Sequence, residues 1–153
     1  MNIRRREMPS FCVIGKLGST DDGEGFIQKL WTDANEHFSE VAHLAKKDDH
    51  GIYAGFWGAM SDMNGKFEPW EDNFTKGLYL AGVEVNDDAY APKGWVKWQI
   101  PSFEYLYCET EPDIFENVLK YIAGNGYSLA GAVHDFTCPE TGKNFMFFPI
   151  KKL

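Results

Sequence analysis

The chain has 153 residues, 44% of them hydrophobic and 25% charged, the size and composition of one globular domain, which excludes disorder and fibrous repeats. A formal net charge of −8 repels phosphate backbones and argues against direct contact with nucleic acid. Cys12, Cys108 and Cys138 are odd in number and form no C-x-x-C pair, so neither a disulfide framework nor a zinc site is expected.

The first residues, MNIRRREMPSF, lack the apolar stretch of a secretory leader, and no segment approaches the roughly 20 apolar residues of a membrane span. A cytoplasmic protein with reduced thiols and no membrane partner is expected. Arg4, Arg5 and Arg6 read as a solvated cluster beside a first strand. That strand material runs from Asn2 to Leu17, broken at Met8-Pro9-Ser10, where proline has no amide to donate to a ladder. After the polar stretch Gly18 to Gly25, the spacing of Phe26, Leu30, Ala34, Phe38, Val41 and Ala45 predicts one amphipathic helix ending near Lys46-Lys47. Two β-like runs follow, Ile52 to Met60 and Leu78 to Val85, around a long loop with Phe67, Pro69 and Trp70.

The same order then returns. Trp95 to Ile100 and Phe103 to Cys108 are strands around Pro101-Ser102, and Pro112 opens a helix whose Ile114, Phe115, Val118, Leu119 and Ile122 form its apolar stripe. Gly124 and Gly126 end it. Gly131 to Thr137 and Asn144 to Ile150 are the last strands, joined by a turn at Pro139 to Gly142. Met8-Pro9-Ser10-Phe11 and Ile100-Pro101-Ser102-Phe103 fall at matching places. The expected fold is therefore α+β: one domain, 1–153, of duplicated β-α-β-β units (about 1–90 and 91–153). These have pseudo-two-fold symmetry, antiparallel sheets, two main helices and a ligand cleft between the halves.

Three segments carry a family resemblance: IPSFEYLYCE (Ile100 to Glu109), GAVHDFTCP (Gly131 to Pro139) with FFPIKK (Phe147 to Lys152), and YLAGVEV (Tyr79 to Val85). Together they resemble the GyrI-like (gyrase-inhibitor-like) domain, which also serves as the effector-binding part of multidrug-responsive transcription regulators. Ile100, Pro101 and Tyr105 match its Ile-Pro motif, Asp135 takes the place of its pocket acid, and Pro149-Ile150 that of its closing strand. The resemblance implies a pocket for lipophilic, often cationic aromatic compounds. Two departures stand out: the family's usual glutamate is here the shorter Asp135, and Thr137 replaces an aromatic residue. No helix-turn-helix segment is expected ahead of the domain.

Asp135 is the expected charge-selecting group, because a carboxylate among apolar neighbours must be paired, hydrogen-bonded or raised in pKa. His134 alternates to the opposite face. The resemblance makes Tyr105, which shares a strand face with Phe103 and Tyr107, a pocket-lining ring. Tyr53, Gly55 and Trp57 read as one face on which the glycine leaves a slot between two rings. Trp70 is either a pocket lid or a cap on the core, and Glu84 either a second cleft acid or a solvent-facing residue. Trp95 and Trp98 fall on opposite strand faces. No Gly-x-Ser-x-Gly elbow, His-Glu-x-x-His helix, Walker loop or dinucleotide motif is present, so no cofactor or metal is expected.

The leading expectation is a stand-alone small-molecule-binding protein, monomer or dimer. A hydrolase opening strained rings of cytotoxic natural products is the alternative, with Asp135 as base and Tyr105 as donor. A protein-binding inhibitor of the gyrase type is the third class.

Overall fold

The computed structural model describes residues 1–153. Eight strands form one antiparallel sheet: β1 (Arg4–Met8), β2 (Phe11–Ser19), β3 (Phe56–Ser61), β4 (Leu78–Val85), β5 (Val96–Ile100), β6 (Phe103–Glu109), β7 (His134–Thr137) and β8 (Asn144–Lys152). Helix α1 spans Phe26–Glu36 and helix α2 spans Ile114–Gly124.

The strand order β1-β6-β8-β7-β3-β4-β2-β5 reads the same from either end once each half is exchanged for the other. The halves join edge to edge through β7 and β3, so they build one sheet where two were expected. Each half also lends its first strand to its partner. Met8 pairs with Phe103 where β1 meets β6, and Ile100 pairs with Phe11 where β5 meets β2. The repeated Pro-Ser dipeptides sit at these crossings, because the chain must leave one half's ladder and enter the other's without donating an amide.

Both helices pack on one face of the sheet. There α1 covers Cys12, Ile14, Val83 and Val85, and α2 covers Leu106, Cys108, Phe148 and Ile150. The other face carries no helix. Its Met8, Phe11, Ile100 and Phe103 belong to strands at opposite ends of the sheet yet share one buried cluster with Trp57, Tyr105 and Phe147. The sheet therefore curls until its two ends approach, and its own side chains fill the concave side. On the exposed edge strand β1, Arg4, Arg5 and Arg6 blunt pairing with another chain; Arg5 also reaches Glu104 at 2.9 Å.

Two expected boundaries move. The first helix stops at Glu36, and 3-10 turns at Phe38–Glu40 and Ala42–Leu44 carry the chain on. Three-residue turns also return side chains to one side, so the periodic apolar signal continues past the helix end. The chain must straighten there because Lys46 N–H donates to the Glu84 carbonyl and Ala54 N–H to the Lys46 carbonyl. The strand expected from Ile52 begins at Phe56.

Candidate functional site

The halves meet on the helix-bearing face, and there the side chains of β7 and β4 converge. Asp135 is opposite Gly58 and Met146, and Tyr79 is opposite Met60. Gly58 has no side chain, and the Tyr79 hydroxyl occupies the space a methyl would fill. From there it donates to Asp135 Oδ2 at 3.1 Å, and Trp31 Nε1 of α1 donates to the same hydroxyl at 3.1 Å. The result is a chain from α1 through a buried tyrosine to an acid.

Tyr79 is the one protein partner of the Asp135 carboxylate, and it leaves Oδ1 unengaged. Burial raises the Asp135 pKa to about 6, and the Tyr79 hydrogen bond only partly opposes it. Burial, reinforced by the Asp135 charge, pushes Tyr79 ionisation well above its ordinary range. The pair is thus a fixed donor and an acid poised near neutrality, a combination typical of functional sites.

Beside this pair is an apolar cavity of about 200 Å³ lined by Met60, Pro69, Trp70, Phe74, Phe115, Val133 and Met146. Met60 and Met146 are the cross-strand neighbours of Tyr79 and Asp135. The far wall comes from the β3–β4 loop. Burial alone would raise the Asp62 pKa, but it ends lowered because the carboxylate accepts hydrogen bonds from the amides of Glu68, Lys66 and Asn64 and from the Ser61 hydroxyl. This knot delivers Trp70, whose Nε1 donates to the Leu78 carbonyl at 3.0 Å. Asp72, Asn73 and Phe74 then follow with φ of 50°, 58° and 64°, a left-handed turn that disfavours L-residues by roughly 1–2 kcal/mol each. It sets the Phe74 ring edge-on to Phe115 with centroids 5.2 Å apart.

The expected site residues divide between the two faces of the sheet. Asp135 and Trp70 are on the helix-bearing face, by the cavity. Trp57 and Tyr105 are 2% and 0% exposed on the concave face, so the pairing of Asp135 with Tyr105 is not made. Glu84 is also on that side, accepting from Trp57 Nε1 at 3.0 Å with Lys46 Nζ at 3.9 Å. Tyr53 lies outside the strand, packed on Phe38 and Phe56 under Lys47. The slot expected at Gly55 is filled by the Phe136 ring; Tyr53 and Trp57 therefore do not flank a ligand space. Trp95 and Trp98 do take opposite faces, in separate clusters. His134 is buried opposite Asp135, its Nδ1 accepting the Met60 amide at 3.0 Å.

Sequence reasoning missed Tyr79, Trp31, Met60, Met146, Phe74 and Phe115 as site residues. A signal for Trp31 existed: Trp31, Ala34 and Phe38 have the same three- and four-residue spacing as the stripe through Leu30. No group of three or more His, Cys, Asp or Glu side chains is placed to hold a metal ion. No helix is long and apolar enough to cross a membrane.

Because a methyl at residue 58 would meet the Tyr79 hydroxyl and crowd Asp135, Gly58→Ala is expected to destabilise the protein by about 1–3 kcal/mol. Urea unfolding of the two proteins measures it, and an unchanged midpoint would mean that Tyr79 moves freely.

Comparison with known proteins places this geometry. No family model matches the chain, and neither does any curated protein sequence. Solved structures do. SAV2435 bound to tetraphenylphosphonium aligns with TM-score 0.62 at 18% identity, over 99% of this chain and 94% of that one. The EcmrR C-terminal domain aligns with TM-score 0.64 at 14% identity, over 99% and 98%. A hydrolase from Listeria innocua aligns with TM-score 0.51 at 10% identity, over 98% and 92%. The chain shares its fold with these structures, the α+β fold that its motifs implied.

Proposed function

We propose that the chain binds lipophilic organic cations in the apolar cavity between α2 and the β3–β4 loop, with Asp135 as the charge-selecting group. What carries the reading is one observation: a partly buried carboxylate with a single protein partner stands beside an apolar cavity. An isolated charge in such surroundings is unfavourable until a counter-charge joins it, so the site gains most from a cation whose apolar body fills the cavity. The fold supports the same reading, since one protein that shares it, SAV2435, is bound to tetraphenylphosphonium. In this reading the protein works in the cytoplasm, its three cysteines free.

Isothermal titration calorimetry at pH 7.5 with matched pairs, an arylalkyl ammonium ion and the alcohol of the same shape, tests it. The cation is expected to bind at least tenfold more tightly, the factor that corresponds to about 1.4 kcal/mol. Equal binding of both members would remove Asp135 from the site, and no binding of either would remove the cleft.

A further inference from the structure

We infer that the ligand this cleft selects is a primary ammonium ion carrying one aromatic ring on a short linker, an inference that rests on the cation-binding reading above. The first ground is size. The cavity holds about 200 Å³, whereas sites for drug-sized molecules span roughly 300–1,000 Å³ and a cavity of about 150 Å³ accommodates benzene. One ring with a few methylenes fills it. The walls suit a flat body, because Phe74 and Phe115 stand edge to face at 5.2 Å above a floor of Met60, Met146 and Val133.

The second ground is where the acid stands. Asp135 is the direct cross-strand partner of Met146 on the cavity floor, and neighbouring strands are roughly 5 Å apart. A nitrogen two or three bonds from the ring spans that distance. The third ground is hydrogen-bond chemistry. Tyr79 is held as a donor on Oδ2, since its ionisation is pushed out of reach, while Oδ1 takes no bond from the protein. The site therefore offers an acceptor that an N–H donor satisfies with a charge-assisted bond. A quaternary ammonium or phosphonium ion has no N–H to give.

The test is calorimetric titration of the intact protein at pH 7.5 with four cations: phenethylammonium, benzylammonium, phenethyltrimethylammonium and tetraphenylphosphonium. Phenethylammonium is expected to bind at least tenfold more tightly than its trimethyl analogue and than tetraphenylphosphonium. Met146→Phe, which fills the cavity floor, is expected to weaken phenethylammonium at least tenfold with the unfolding midpoint retained; should that variant not fold, Val133→Leu makes the same test. Tetraphenylphosphonium binding as tightly as phenethylammonium would overturn this inference and leave the cation reading standing. Trimethylation without effect would overturn the N–H argument. Failure of all four cations to bind would overturn both.

Discussion

Trp57→Ala is expected to destabilise the fold by about 3–5 kcal/mol and to leave ligand affinity, per folded molecule, unchanged. The indole is 2% exposed. Its ring packs on Phe11, Phe136 and Phe147 with centroid separations of 4.8, 4.6 and 5.2 Å. Truncation removes those contacts and leaves a cavity in the concave cluster, which rigid strands on three sides cannot collapse to fill. It also deprives Glu84 of the indole N–H, its hydrogen-bond donor, in a position where the side chain is only 12% exposed. Trp57→Phe separates the two effects, since it keeps most of the ring and loses the hydrogen bond, and is expected to destabilise by about 1–3 kcal/mol. Guanidinium unfolding together with titration of the folded protein checks both variants. A small stability loss with a large affinity loss would instead move Trp57 into the ligand site.

Asp135→Asn is expected to weaken cationic ligands by about 1–3 kcal/mol while neutral analogues of the same shape keep their affinity. Its second effect is on stability against pH. The Asp135 pKa rises from 3.8 to about 6 on folding, and two units are worth about 3 kcal/mol. A carboxyl with a raised folded pKa contributes stability that is fully present below pH 3.8 and lost as pH climbs through about 6. His134, its neighbour on the opposite face, works the other way: burial lowers its pKa from 6.5 to about 3. That contribution is present above pH 6.5 and is lost as pH falls toward 3. Between pH 4 and 6 the two slopes oppose each other in the parent protein. Removing the acid exposes the histidine slope alone, so Asp135→Asn is expected to match the parent near pH 4 and to exceed its stability by up to about 3 kcal/mol at pH 8. Chemical denaturation at a series of pH values measures this. A variant less stable than the parent at pH 8 would make Asp135 a structural group.

The order of elements and the duplication were legible because the apolar periods and the repeated Pro-Ser-Phe both record local backbone demands. Even the exchange of first strands has its trace there, since the two Pro-Ser pairs sit where the halves cross. Which side of the sheet each ring occupies was harder. Alternation correctly separated His134 from Asp135, yet it cannot say which face carries the helices, and so Tyr105 and Trp57 were grouped with an acid that lies through the sheet from them. Extending the Trp57 strand back to Tyr53 failed for a different reason: the chain from Lys46 to Ala54 is tied by isolated bridges, which leave no alternating pattern. The left-handed turn at Asp72–Phe74 was beyond reach, because none of its three residues is a glycine and the tertiary contacts of Trp70 and Phe74 impose it.

The two helices are not held equally. Helix α2 buries Ile114, Val118 and Ile122, whereas α1 buries only Ala34. At roughly 1.5–3 kcal/mol for each large apolar side chain withdrawn from water, α1 lifts from the sheet at a much lower free energy than its counterpart. Lifting it removes Trp31 from Tyr79, so the hydrogen-bond chain that ends on Asp135 is broken at the segment that opens first. Backbone amides of Phe26–Glu36 are then expected to exchange with deuterium well ahead of those of Ile114–Gly124.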